Sequence, residues 1–290
     1  GIGMGALALA DEDTTRYAGL VLKTVSSMID AGSIAMFGPD GAWPEGPGYW
    51  GYATQYLSVY AASLQTALDS SFGILTIPGI SKTGNFPVYM AGAKDAYFNY
   101  ADAGTGTTRA PWLFWMAREF GNPLYSWYQR RLASPHPLDI VWYDSAGRSP
   151  SQLKLPREAY FRNVEAATFR SSWDDRDMLF AAVKAGKNDV GHSHLDLGTF
   201  VIDALGERFV QDLGSDNYNL PGYFSASGWS SQRWTYYRLR TEGHNCIVIN
   251  PSDSGGQDPF AVTRVERFFT TESGDPFAIV DLTDAYNEFG

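Results

Sequence analysis

Two histidines and a carboxylate stand close together in Gly191-His192-Ser193-His194-Leu195-Asp196, in a chain with only 4 histidines. On a strand, side chains alternate between faces, so His192 and His194 would share one face about 6–7 Å apart. Imidazoles so placed can share a metal, or one can hold a metal while the other moves protons. Two further groups extend the set. Asp212 follows the run Arg208-Phe209-Val210-Gln211, and His244 precedes the apolar run Cys246-Ile247-Val248-Ile249. Two or three histidines with one carboxylate form a ligand set suited to zinc. The plainer alternative makes Asp212 a turn residue and His244 a strand cap.

Three aromatic loops carry the other polar groups. In Asp40–Tyr52, prolines and glycines fix a loop that offers Trp43, Tyr49, Trp50 and Tyr52. Glu45 sits there just ahead of a helix start, where the dipole favours a carboxylate, so capping and substrate contact are both open. The second loop is Tyr97-Phe98-Asn99-Tyr100-Ala101-Asp102; Asp102 reads as a carboxylate leading a helix, and Asn99 or Tyr100 as a ligand contact. The third, Asn217–Phe224, is richer in Tyr and Asn than packing demands. Aromatic residues make up 15% of the chain. That suits either a dense core or a carbohydrate cleft, where ring faces stack on sugars.

The elements that must position these loops fall into two grammars. Up to about residue 133 the apolar spacing is helical, with helices expected over 10–31, 49–68, 107–119 and 123–132. A polar, proline-containing connection covers 134–157. Strands are then expected over 159–173, 178–184, 199–204, 208–212, 245–250, 262–271 and 277–282, with a hairpin turn at Leu205-Gly206-Glu207. The fold class is therefore α+β and multidomain: a helical domain over 1–150 and an antiparallel β-sandwich over 151–290.

The net charge of −10 argues against a nucleic-acid or anionic-membrane binder. No apolar run reaches the roughly 18 residues of a membrane span. Cys246 is the single cysteine, which rules out an internal disulfide and reads as a small core residue. The chain opens on glycine with no signal peptide and stops soon after a strand, so both ends read as cut.

Taken together, these stretches resemble the heparinase II/III family of polysaccharide lyases. The resemblance is carried by His192-Ser193-His194-Leu195-Asp196, Gly206-Glu207, Asp212-Leu213-Gly214, Tyr223 and His244-Asn245, with Glu45-Gly46-Pro47-Gly48-Tyr49 and Phe98-Asn99-Tyr100-Ala101-Asp102 upstream. It implies an incomplete (α/α) toroid followed by a truncated sandwich. It also implies β-elimination on an acidic, uronate-containing polysaccharide or oligosaccharide, in the periplasm or outside the cell. Residue by residue, it makes His192, Tyr223, Tyr100 and Glu45 catalytic, with Tyr97 second to Tyr100. It gives His194, Asp212 and His244 a structural zinc. Trp43, Tyr49, Tyr97, Asn99, Arg109 and Arg233 become substrate contacts. Ala42 departs from the family, some members of which carry His or Asn three residues before the glutamate. The cation or amide that neutralises the C5 carboxylate then falls to Asn99, Arg109 or Arg233. Two other functions compete: a glycoside hydrolase using Glu45 and Asp102, which leaves the histidines unexplained, and a non-catalytic glycan binder using the same aromatic cleft.

Overall fold

The computed structural model describes residues 1–33, 37–132, 134–225, 228–251 and 255–287. The chain forms two compact units. One takes residues 1–42, 50–86 and 109–149, and the other 43–49, 87–108 and 150–290. No helix among the described residues is long and apolar enough to cross a membrane.

The first unit is helical. Helices α1 (Ile2–Ala8) and α2 (Thr14–Ser27) open it, and the Asp13 side chain caps α2 by accepting from the Arg16 amide. The helix expected over 10–31 is thus α2 plus a π-helical turn at Met28–Ser33. Helix α3 (Gly46–Leu68) begins three residues before the expected 49–68 and ends with it, and α4 (Asn85–Met90) runs into the second unit at Pro87. Helix α5 (Trp112–Phe120) starts later than expected, behind Pro111, and stops at Gly121 in the left-handed region. The Asn122 side chain then caps α6 (Pro123–Arg131), and α7 (Asp139–Trp142) follows. Trp50 and Trp112 are buried in this unit's core, and their indole N–H groups donate to Thr83 Oγ1 at 2.8 Å and Thr54 Oγ1 at 3.1 Å. Arg109 donates to the carbonyls of Gln129 (2.7 Å) and Leu132 (2.9 Å) and pairs with Asp139. It clamps backbone.

The second unit is built on two antiparallel sheets. Strands β1 (Ala159–Phe161), β2 (Ala166–Arg170), β3 (Phe180–Lys184), β5 (Phe200–Ala204) and β6 (Glu207–Val210) form one, in the order β1-β2-β3-β5-β6. Strands β4 (Gly186–Lys187), β7 (Val262–Thr270) and β8 (Pro276–Asp281) form the other, ahead of a short helix α8 (Thr283–Tyr286). Phe268 of β7 touches Tyr160 and Phe169 of the larger sheet. The β5–β6 turn places Leu205 and Gly206 at φ 53° and 74°, the pattern of a type I′ hairpin. On β3 the inward positions are Phe180, Ala182 and, unusually, Lys184.

Three expectations need correction. The run 159–173 is two strands, because Glu165 turns the chain at φ 53°. Residues 245–250 form no strand: Ile247 and Val248 are exposed and Asn250 sits at φ 47°, so no ladder partner covers their apolar side chains. The histidine segment is also irregular, not extended, and His192 adopts φ 57°. Strand alternation therefore does not govern the pair.

Segments 87–108 and 43–49 belong with these sheets. Buried Arg170 on β2 donates to the carbonyls of Tyr89 (2.9 Å) and Ala91 (3.1 Å) while its guanidinium lies 3.9 Å over Trp173. Buried Asp203 on β5 accepts from the Ala93 amide at 2.8 Å and from Arg208 Nε at 2.7 Å; Arg208 also holds the Ala96 carbonyl at 3.1 Å. Replacing Asp203 by Ala would leave a buried amide without its acceptor and a mostly buried guanidinium without its counter-charge. We expect Asp203→Ala to cost about 3 kcal/mol in denaturant unfolding; a loss under about 1 kcal/mol would contradict this clamp.

Candidate functional site

The centre of the site is Asp102, a carboxylate with a fully buried side chain. Its loop is held to the β unit by the Ala101 amide, which donates to Asp196 Oδ2 at 2.9 Å, and by the Asp102 amide, which donates to the His192 carbonyl at 3.1 Å. Four donors converge on it. His192 Nδ1 and the Tyr218 hydroxyl reach Oδ2 at 2.8 and 3.0 Å. His194 Nε2 and the Tyr223 hydroxyl reach Oδ1 at 2.8 and 2.6 Å. Arg233 stands at 3.9 Å from Oδ1. Burial alone would raise this carboxyl, but the hydrogen bonds from His194, Tyr223 and His192 hold it well below the usual range. Asp102 is therefore an acceptor and not an acid.

The positive φ at His192 sends the two imidazoles to different places. The His192 side chain keeps 23% of its exposure, whereas that of His194 keeps none. Tyr49 stacks on the His192 ring at 3.8 Å, Phe224 meets it edge-on at 5.6 Å, and the Tyr49 and Tyr218 hydroxyls lie 3.1 Å apart. Tyr218 and Tyr223 are both raised above the ordinary phenol value, first by burial and then by their bonds, to Tyr49 and Asp102 for Tyr218 and to Asp102 for Tyr223. Both stay phenols at neutral pH. Glu45 accepts from the Trp43 indole at 3.0 Å, and a Cβ on Gly191 would fall 2.2 Å from its Oε1, so glycine there admits the carboxylate beside the histidine loop.

Behind His192 lies a buried group that fits a metal. Donor atoms of His194, Asp196 and His244 all fall within 4.8 Å of one another. His194 Nδ1 and His244 Nε2 are buried with no hydrogen-bond partner, and the rings lie 5.1 Å apart. On their other nitrogens both are backed by carboxylates, Asp102 for His194 and Asp212 Oδ2, at 2.7 Å, for His244. That is how metal-binding histidines are commonly oriented. Asp196 also pairs with buried Lys184 at 2.9 Å. Burial would raise Asp196, but the charges of Lys184, His244 and His194 draw it down to about 2. Burial lowers His244 while Asp212 more than restores it, so it is raised overall; His194 is lowered, chiefly by burial. Three buried carboxylates thus favour positive charge at this point.

Of the residues singled out in the sequence, His192, His194 and Tyr223 meet at Asp102, Tyr49 stacks on His192, and His244 with Asp212 lies beside His194. Asp196 converges with His194 and His244, while Asp212 stands behind His244. Tyr100 and Tyr97 are fully buried; the Tyr100 hydroxyl donates to the Trp43 carbonyl at 2.9 Å, and the Tyr97 hydroxyl accepts from the Thr108 amide at 3.3 Å. Asn99 is buried and donates to the Asp212 carbonyl at 3.2 Å. Arg233 donates to the carbonyls of Tyr223 and Ser193, each at 2.6 Å. Arg109 belongs to the helical unit. Cys246 is half-buried, and burial pushes its thiol well up. The sequence reading missed the centrality of Asp102 and Tyr218. Its only signal for them was that each lies in a polar-aromatic loop.

A helical unit and an antiparallel β unit whose histidine cluster surrounds one carboxylate define the class. Residues 155–290 match the model of the Heparinase II/III-like, C-terminal family. The resemblance read from the motifs is borne out. Similar solved structures include a heparan sulfate lyase HepC mutant from Pedobacter heparinus, with 15% identity, TM-score 0.64, and coverage of 93% of this chain and 38% of that one. A heparinase III with methylated lysines gives 17% identity and TM-score 0.62, covering 97% of this chain and 40% of that one. Another heparinase III gives 13% and 0.60, covering 92% and 40%. At these identities the likeness is one of fold. The chain spans about two fifths of the length of these structures. No curated protein matches it in sequence.

The buried donor set yields a test. The chain should bind one divalent zinc ion per molecule and gain thermal stability from it, and His244→Ala should abolish both effects in calorimetry. Unchanged melting with zinc or with chelator would contradict the assignment.

Proposed function

We propose that the protein is a polysaccharide lyase that cleaves uronate-containing glycans by β-elimination, with its helical part a portion of an (α/α) toroid, its β part a sandwich, and a boundary near residue 150. The observation that carries this reading is the partly exposed His192 ring, held through Nδ1 by a buried carboxylate and stacked on Tyr49 beside phenol hydroxyls. A glycan of this kind is too large to cross a membrane, so the enzyme acts in the periplasm or outside the cell.

In this reading His192 Nε2 takes the proton from C5 of the uronate. The electron pair left behind forms the C4–C5 double bond as the C4–O4 bond breaks. The departing O4 needs a proton, and the hydroxyl of Tyr49, whose ring stacks on His192 and whose neighbour Tyr218 already donates to Asp102, supplies it. Tyr223 and Tyr100, offered for this step by the family resemblance, are buried with hydroxyls bonded to Asp102 and the Trp43 carbonyl, and act as supports. Glu45 and Trp43 line the histidine loop next to the ring stack. His194, Asp196 and His244 would hold zinc, with Asp212 orienting His244; the ion supplies a fixed positive charge that ties these loops together. A glycosidase reading needs Asp102 or Glu45 as a proton donor, and the low-lying, fully buried Asp102 is unsuited to that.

Incubated with heparan, alginate and ulvan-type polymers, the chain should release product carrying the ultraviolet absorbance of an unsaturated uronate. His192→Ala should lower kcat at least about 100-fold with polymer affinity little changed. New reducing ends without that absorbance, or full turnover by His192→Ala, would overturn the proposal.

A further inference from the structure

We infer that Asp102 is a positioning residue that fixes two tautomers at once, making His192 a base through Nε2 and His194 a metal ligand through Nδ1. The first half rests on the lyase reading; the second does not. A carboxylate can only accept, so each imidazole must turn its single N–H toward it. Asp102 Oδ2 meets the Nδ1 of His192, whereas Oδ1 meets the Nε2 of His194, each at 2.8 Å. Opposite nitrogens of the two rings are thereby given the proton. The lone pair of His192 is left on Nε2, in a side chain that keeps 23% of its exposure. That of His194 is left on Nδ1, which is buried without a partner, in a ring 5.1 Å from His244.

The remaining geometry excludes substitutes for this arrangement. The Asp102 side chain is fully buried, so water does not replace it. The Tyr218 and Tyr223 hydroxyls take a second position on each oxygen, which leaves the carboxylate little room to rotate. An amide in its place carries one oxygen and one NH2 group, and so can accept from only one of the two rings. The other ring would have to accept, placing its own proton on the nitrogen needed for base action or for the metal. One carboxylate thus joins metal retention to proton transfer.

The test uses the whole chain and its Asp102→Asn variant. Histidine 15N NMR of the native, metal-free chain, at a pH where both rings are neutral, should show the Nδ1–H form for His192 and the Nε2–H form for His194. Either ring in the opposite form overturns the inference, whether or not the variant folds. In Asp102→Asn, zinc affinity by calorimetry should fall about 10–100-fold, or kcat on a uronate polymer about 100–10,000-fold with KM little changed, according to which ring meets the NH2 group. Native values for both would overturn it. A chain inactive on every uronate polymer would overturn the lyase reading alone, because tautomers and zinc affinity are read without substrate.

Discussion

The Asp102 carboxylate, buried and accepting from two imidazoles and two phenols, is the interaction on which the site depends. Its four donors come from the histidine loop and from the segment 218–223, which the sequence separates widely. A buried carboxylate without them would face a large desolvation penalty, and the donors without it would be left as unsatisfied polar groups. Each side makes the other tolerable. Such a centre also discriminates between neighbouring residues: with Ser193 between them, His192 remains partly exposed and His194 disappears into the interior.

The carboxylate has to be brought there by a loop, and buried ionic clamps do this. Arg170 gathers carbonyls of the 88–91 segment, Asp203 and Arg208 fix 93–97, and Asp196 takes the Ala101 amide. All three clamps lie on or beside the larger sheet, so the strands serve as a rigid base for a loop with little regular structure of its own. The inward Lys184 on β3 belongs to the same design. It offsets Asp196, which then faces both the loop and the two histidines.

Much of this was legible in the sequence because it rests on local pattern. The capped α2 and α6, the strands at 180–184 and 200–204, and the Leu205-Gly206 hairpin each follow from spacing and turn chemistry. The histidine pair and His244 were legible from residue type in a histidine-poor chain. What escaped was set by long-range packing. Asp102 looked like a helix-leading carboxylate because nothing near it in sequence shows that His192, His194, Tyr218 and Tyr223 will surround it. The run at 245–250 has strand composition, yet no strand among the described residues pairs with it. The histidine segment was read with strand alternation, whereas the left-handed backbone at His192 is invisible to composition, since a non-glycine residue adopts it only where tertiary contacts hold it.

The division of labour between His192 and His194 is the central claim, and anomalous diffraction at the zinc edge from crystals of the zinc-loaded chain tests it most directly. The account predicts a single peak coordinated by His194 Nδ1 and His244 Nε2 together with Asp196, with His192 still on Asp102 and its Nε2 facing solvent. A peak shared by His192 and His194 would contradict it, because His192 would then have no lone pair left for the uronate proton.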